Sequence, residues 1–247
     1  MSRLIIDFHN HLGKGDPDAG PLQRDLYPDM LIRVMDEGGV WKSVVFPVKY
    51  RDFKAACDEI KGYVDRYPGR LIGFGRIGDT PDAPDIVEYC IDELGFKGLK
   101  IHHGLENIDP DSPNLKKVLD IAEERQFPII FDAFSQNAEK VFKVAEAGYT
   151  FPIVMAHMGG LWNVTWMDRC IEHAERYQNV YLETSSVLLF AKIEEAVKRI
   201  GADRIIFGTD GPGIHPAPEI RKIEILHIPE ADKDKILGLN AKRLLGI

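Results

Sequence analysis

Eight short apolar runs, separated by longer amphipathic segments, constrain this chain more than any other feature of its sequence. The runs are "LIIDFHNH", "SVVFPV", "LIGFGRI", "FKGLKIH", "PIIFDAF", "PIVMAH", "VYLETSS" and "RIIFGTD". They are rich in β-branched and aromatic residues and alternate little, as strands buried on both faces do. Between them the period changes. Leu115, Val118, Leu119 and Ala122 fall at i, i+3, i+4 and i+7, as do Met167, Cys170, Ile171 and Ala174, and Ile193, Ala196, Val197 and Ile200. That spacing belongs to helices with one buried face. Helix starts are marked by Ser112 followed by Pro113, and by Asn137 and Asn163 as further capping residues. Gly69, Gly95, Gly148 and Gly201 stand near the helix ends, where a left-handed residue is wanted.

Strands alternating with one-faced helices build parallel βαβ units. Eight such units within 247 residues match the size of a closed (β/α)8 TIM barrel, and no stretch is left over for another unit. The expectation is an α/β fold with residues 1–247 as a single domain. An open doubly wound sheet is the competing arrangement, since periodicity does not show closure. "GFGRIG" at 73–78 satisfies a dinucleotide fingerprint, but Gly73 and Gly75 lie inside an apolar run instead of opening a helix. These glycines are expected to make room in the barrel interior, with Arg76 at the strand end holding an anionic group.

Charge narrows the partners. Lys+Arg 31 against Asp+Glu 39 gives −8, spread along the chain, which provides neither a nucleic-acid track nor a surface for anionic membranes. A small-molecule substrate is the expected partner, and self-association as a homo-oligomer is left open. No run approaches the ~18–20 apolar residues of a membrane span, and the start lacks a signal-type stretch. Cys57, Cys90 and Cys170 are odd in number and far apart, as reduced thiols in a cytoplasmic protein are.

Polar residues gather at the C-terminal ends of the runs, where a barrel places its catalytic groups. His9 and His11 end the first, Lys100 and His102 the fourth, Asp132 the fifth, His157 the sixth, Glu183 the seventh and Asp210 the eighth. Imidazoles and carboxylates converging on one mouth suit a divalent metal ion, with Zn²⁺ favoured by the nitrogen donors.

These residues carry a resemblance. "DFHNH" at 7–11, "GFKGLKIH" at 95–102, "FPIVMAHMGG" at 151–160, "NVYLETSS" at 179–186, "RIIFGTDGP" at 204–212 and the tail "KILGLNAKRLLGI" resemble the amidohydrolase superfamily. More narrowly they resemble its amidohydrolase-related (amidohydrolase-2) branch of TIM-barrel proteins, which includes aminocarboxymuconate-semialdehyde decarboxylase and related decarboxylases, lactonases and hydratases. The resemblance implies that His9 and His11 are the strand-one metal ligands. It implies that Asp210 is the strand-eight carboxylate, as ligand, proton acceptor or both, and that His157 is either a ligand or an acid/base beside bound water. The pattern departs at strand five, where Asp132 stands in place of the usual histidine. A carboxylate there either ligates, favouring Mn²⁺ or Mg²⁺, or marks a site that holds no metal tightly. Lys100 matches a lysine that bridges two ions in some members; its other readings are an ammonium neutralising Glu183 or Asp132, or one binding a substrate carboxylate.

The reaction implied is a metal-dependent hydrolysis or non-oxidative decarboxylation of a small carboxylated or cyclic substrate, with Asp210 and His157 moving protons. Arg76, Lys100, His102 and Trp162 are the expected substrate contacts. His103, and His215 beyond the eighth strand, are expected on exposed loops and have no assigned role. A metal-free lactonase using the same groups and a catalytically silent ligand-binding barrel are the competing readings.

Overall fold

A computed structural model describes residues 3–15, 25–49 and 52–247. The strands are β1 (Ile6–Leu12), β2 (Lys42–Pro47), β3 (Leu71–Gly73), β4 (Gly75–Arg76), β5 (Leu99–Ile101), β6 (Ile129–Phe131), β7 (Ile153–Met155), β8 (Val180–Glu183) and β9 (Ile205–Ile206). All their pairings are parallel, in the order β1-β2-β3 and β4 through β9. Phe74 alone separates β3 from β4, and its N–H still bonds to Val45 on β2, so the two pieces fill one barrel position. The last gap is closed by Phe8 N–H donating to Phe207 and by exchanged bonds between His9, His11 and Gly211. Eight positions therefore form a closed barrel.

Helices α1 (Pro28–Gly38), α2 (Phe53–Arg66), α3 (Ala83–Glu88), α4 (Pro113–Arg125), α5 (Asn137–Glu146), α6 (Val164–Arg176), α7 (Phe190–Ile200) and α8 (Pro216–Glu224) follow the strands, and α9 (Glu230–Asp234) and α10 (Asn240–Leu245) end the chain. Ser112 caps α4 by accepting from the Asn114 and Leu115 amides, with Pro113 at the first helical position, and Asn163 caps α6 by accepting from Trp166. Asn137 does not cap α5. Its amide instead donates to the Asp132 carboxylate at 2.8 Å. None of the described helices is long and apolar enough to cross a membrane. Cys57, Cys90 and Cys170 are free and buried. The loop after the first strand lies partly outside the described residues, at 16–24.

The core has two layers. Leu99, Ile101, Ile129, Phe131, Ile153, Leu182 and Ile205 pack outward against the helices. Ile6, Phe8, Val44, Phe46, Ile72, Phe74, Ile130, Val154 and Ile206 fill the barrel, and Ala241 and Leu245 of α10 complete that inner cluster. Parity along the strands follows the pleat. It also corrects the reading of the glycines. Phe74 takes the interior position, and a Cβ at Gly73 would lie 2.3 Å from the Phe96 ring while one at Gly75 would lie 2.9 Å from Cys90 Sγ. Both glycines therefore admit side chains of the outer layer.

Candidate active site

The first strand sets the site by breaking its own alternation. Asp7 pairs with Ser43 and Asn10 with Val45, so three steps along β1 match two along β2. This bulge inserts one residue and reverses the parity. Strict alternation after Ile6 and Phe8 would turn His9 and His11 outward to the helices. Instead both rings lie against Phe46 of the interior, at centroid distances of 5.3 and 4.7 Å.

The bulge brings three donors together. His9 Nε2 and His11 Nε2 are 3.3 Å apart, and Asp210 Oδ1 lies 3.5 Å from the first and 3.2 Å from the second. Bonds of about 2.0–2.2 Å to a cation, opened by about 90–110°, put adjacent ligand atoms about 3.0–3.5 Å apart, so the triangle fits such an ion. His11 Nδ1 is buried and finds no hydrogen-bond partner among the described residues. Burial pushes His9 below its ordinary range and His11 down to about 3, which keeps both rings neutral with lone pairs to offer. Burial opposes ionisation of Asp210, but the hydrogen bond to His11 and attraction from the rings hold its carboxyl well below the usual range. Asp210 adopts a left-handed φ of 64°, which an aspartate accepts more readily than most residues.

Behind His9 lies Glu183, fully buried. Its Oε2 accepts from His9 Nδ1 at 3.1 Å, from Ser185 Oγ at 2.7 Å and from the His157 amide at 3.2 Å, while Oε1 accepts from the Ser185 amide at 2.5 Å. Burial alone would raise this carboxyl, yet the bond from His9, attraction from His9 and His157, and the bond from Ser185 hold it at about 2. A neutral His9 donating Nδ1–H satisfies both partners and leaves Nε2 bare toward the triangle. His9, His157 and Glu183 form a second close group, but the Glu183 oxygens are already occupied by these donors. Room for Glu183 requires Gly208, where a Cβ would stand 2.2 Å from Oε1.

His157 sits just past β7 in the left-handed region, with φ 60° and ψ 17°. Such backbone persists where the surroundings fix it. Here the amide is bound to Glu183, and Nδ1 lies 3.1 Å from the Ser185 carbonyl and 2.9 Å from its hydroxyl. Nδ1–H therefore donates, and Nε2 faces Asp132 Oδ1 at 4.0 Å. Asp132 also lies 3.6 Å from His102 Nδ1. Burial disfavours its charge, but His102, Lys100 and His157 keep the carboxyl below its ordinary value. Among the described residues, Asp132 belongs to neither close group of potential metal donors.

Lys100 is buried, its Nζ 3.3 Å from His9 Nε2. Burial pushes its pKa down, against the pull of Asp132, Asp210 and Glu183. Arg76 is buried too, but it faces no open space: Nη2 pairs with Glu106 Oε1 at 2.7 Å and Nη1 donates to the Pro47 carbonyl. Its charge is answered from within the protein. His102 Nδ1 accepts from the Leu105 amide at 3.1 Å, and burial lowers the ring to about 3. Trp162 is 61% exposed on the loop after β7. Contrary to the expectation of an exposed loop, His103 is buried and stacks on Phe131, while His215 caps α8. Sequence reasoning missed Ser185 and Glu106, and placed Glu183 at the mouth without its bond to His9. Only the position of Ser185, next but one after a strand-ending acid, signalled it.

Comparison with known proteins agrees with this architecture. The family model described as "Amidohydrolase" matches residues 6–247. A γ-resorcylate decarboxylase from Polaromonas sp. is 31% identical over an alignment covering 87% of this chain and 86% of that protein. Among solved structures, 5-carboxyvanillate decarboxylase from Sphingomonas paucimobilis superposes with a TM-score of 0.79 at 17% identity, covering 100% of both chains. A dihydroxybenzoic acid decarboxylase from Polaromonas sp., solved with bound manganese and the inhibitor 2-nitroresorcinol, gives 0.75 at 19% identity, covering 99% of this chain and 97% of that one. A closed (β/α)8 barrel, a histidine pair aimed inward at its mouth and a family match over nearly the whole sequence place this chain in the amidohydrolase family.

Proposed function

We propose that this protein is a metal-dependent non-oxidative decarboxylase of small hydroxylated aromatic acids. The observation that carries the reading is the cation-sized triangle of His9, His11 and Asp210 beside a separately held His157, in a chain whose 31%-identical relative is a γ-resorcylate decarboxylase. That relative supports lyase over hydrolase chemistry.

His9 Nε2, His11 Nε2 and Asp210 would hold the cation, with Asp132 able to join from the fifth strand. The manganese in the Polaromonas structure makes Mn²⁺ the first ion to test, and two imidazoles suit Zn²⁺ as well. When bound, the ion supplies positive charge that orients the substrate carboxylate and its neighbouring hydroxyl oxygen. The chain's own groups do the rest. His157, protonated on both nitrogens, gives its Nε2 proton to the ring carbon that bears the carboxylate. The bond from that carbon to the carboxylate then breaks, its electron pair restores the aromatic ring, and carbon dioxide leaves. Solvent then returns a proton to the neutral ring, and the Asp132 carboxylate 4.0 Å away stabilises the imidazolium that results. Asp210 accepts the proton of the substrate hydroxyl as it binds and gives it back to that oxygen as the phenol leaves. Lys100 and His102 line the same mouth, and Trp162 would wall it from the loop after β7.

Incubation of the protein, reconstituted with Mn²⁺ or Zn²⁺, with 2,6-dihydroxybenzoate should release carbon dioxide and resorcinol in equal amounts. Turnover of lactones or amides, with none of hydroxybenzoates, would replace this reading by hydrolysis.

A further inference from the structure

We propose that Lys100 is an internal placeholder for the cation, giving an N–H to the lone pair of His9 that the metal must take. The inference rests on the metal-site reading above and goes beyond it. Glu183 fixes the proton of His9 on Nδ1, so His9 Nε2 has only a lone pair to offer. Lys100 Nζ lies 3.3 Å from that same nitrogen and carries donors only. A metal ion and a lysine N–H cannot share one lone pair.

The surroundings say why a lysine sits there. Asp132, Asp210 and Glu183 all lie close enough to attract Lys100. Three carboxylates gathered at one mouth, two of them buried, disfavour one another unless a donor lies among them. Lys100 is 1% exposed and its chain crosses the barrel above Phe46, with Nζ 5.2 Å from the ring centroid. It therefore fills, in the metal-free protein, the place beside His9 Nε2. Once a divalent ion takes that lone pair, Lys100 Nζ loses its acceptor and must turn aside. The lysine thus stabilises the empty site and weakens metal binding. A lysine that bridges ions as a carbamate would act oppositely, since its loss would weaken binding.

The test is Mn²⁺ titration calorimetry on chelator-stripped wild type and the variants Lys100→Met and Lys100→Gln, with thermal melts in chelator and in Mn²⁺. Lys100→Met keeps the length and apolar stem, and Lys100→Gln guards against misfolding of the first. Both variants should bind Mn²⁺ about tenfold tighter or more, melt lower than wild type in chelator, and gain more from Mn²⁺. Equal or weaker Mn²⁺ binding in a folded variant would overturn the proposal, as would a mass gain of one carbon dioxide on Lys100 in bicarbonate. Failure of wild type to bind either Mn²⁺ or Zn²⁺ would instead sink the metal-site reading itself.

Discussion

Replacing Glu183 by glutamine tests whether one buried carboxylate holds the site together. The substitution preserves volume and removes charge. Three donors converge on Oε2, from His9, Ser185 Oγ and the His157 amide, and one, the Ser185 amide, on Oε1. An amide oxygen in the first position keeps three bonds, but its NH₂ then faces the Ser185 N–H, donor against donor, at about 1–3 kcal/mol. Losing the ionic strength of the other bonds adds about 1 kcal/mol. The carboxyl gives a second route to the same figure. It is held at about 2 against an ordinary 4.5, and at about 1.4 kcal/mol per pH unit this difference is worth about 3 kcal/mol. Because the folded pKa is depressed, that stability is fully present above about 4.5 and is lost as pH falls toward 2. Urea unfolding in chelator should therefore show Glu183→Gln less stable by about 3 kcal/mol at pH 7 and by about 2 kcal/mol at pH 3.5. A loss below about 1 kcal/mol, or one that does not change with pH, would refute the assignment of Glu183 as the ionised hub.

Three further outcomes follow from the geometry. His157→Asn should retain metal, checked by elemental analysis, while hydroxybenzoate turnover falls about 10²–10⁴-fold, the scale of a lost general acid; loss of the metal would make His157 a ligand. His11→Ala and Asp210→Asn should both lose bound metal while keeping the wild-type circular dichroism spectrum, and metal retained by either would remove that residue from the triangle. Asp132→His should shift preference toward Zn²⁺ in competition with Mn²⁺ if residue 132 reaches the ion, and an unchanged preference would place Asp132 with His157 alone.

The fold was legible because its signal is repeated. Eight apolar runs and one-faced helices specify a barrel of this size several times over, and Ser112 and Asn163 mark helix starts by local chemistry alone. The strand-end groups were legible too, since spacing puts His9 and His11 on one side. Which side was not legible, because the bulge at Asp7–Asn10 is a matter of register with β2. Pairings across the chain were hidden for the same reason. Arg76 looked free for a substrate anion until the loop after β5 delivered Glu106 to it, and Asn137 looked like a cap until Asp132 claimed its amide. Gly73 and Gly75 announced a close approach but not from which layer it comes.

Closure of the barrel between its first and last strands has a consequence for the order in which the protein is made. Asp7 and Thr209, joined by two hydrogen bonds, are 202 residues apart in the chain, and His9, His11 and Asp210 meet at the same seam. The first-made half of the site therefore waits on the ribosome, with its bulged strand unpaired on one edge, until nearly all of the chain has emerged. Joining ends so distant carries a large entropic cost and is slow, so the seam forms late. A cation held across it, as proposed, would act as a clip between the two strands, binding only the closed ring. Slow exchange of the β1 amides in metal-loaded protein, and faster exchange once the ion is stripped, would be the signature of that clip.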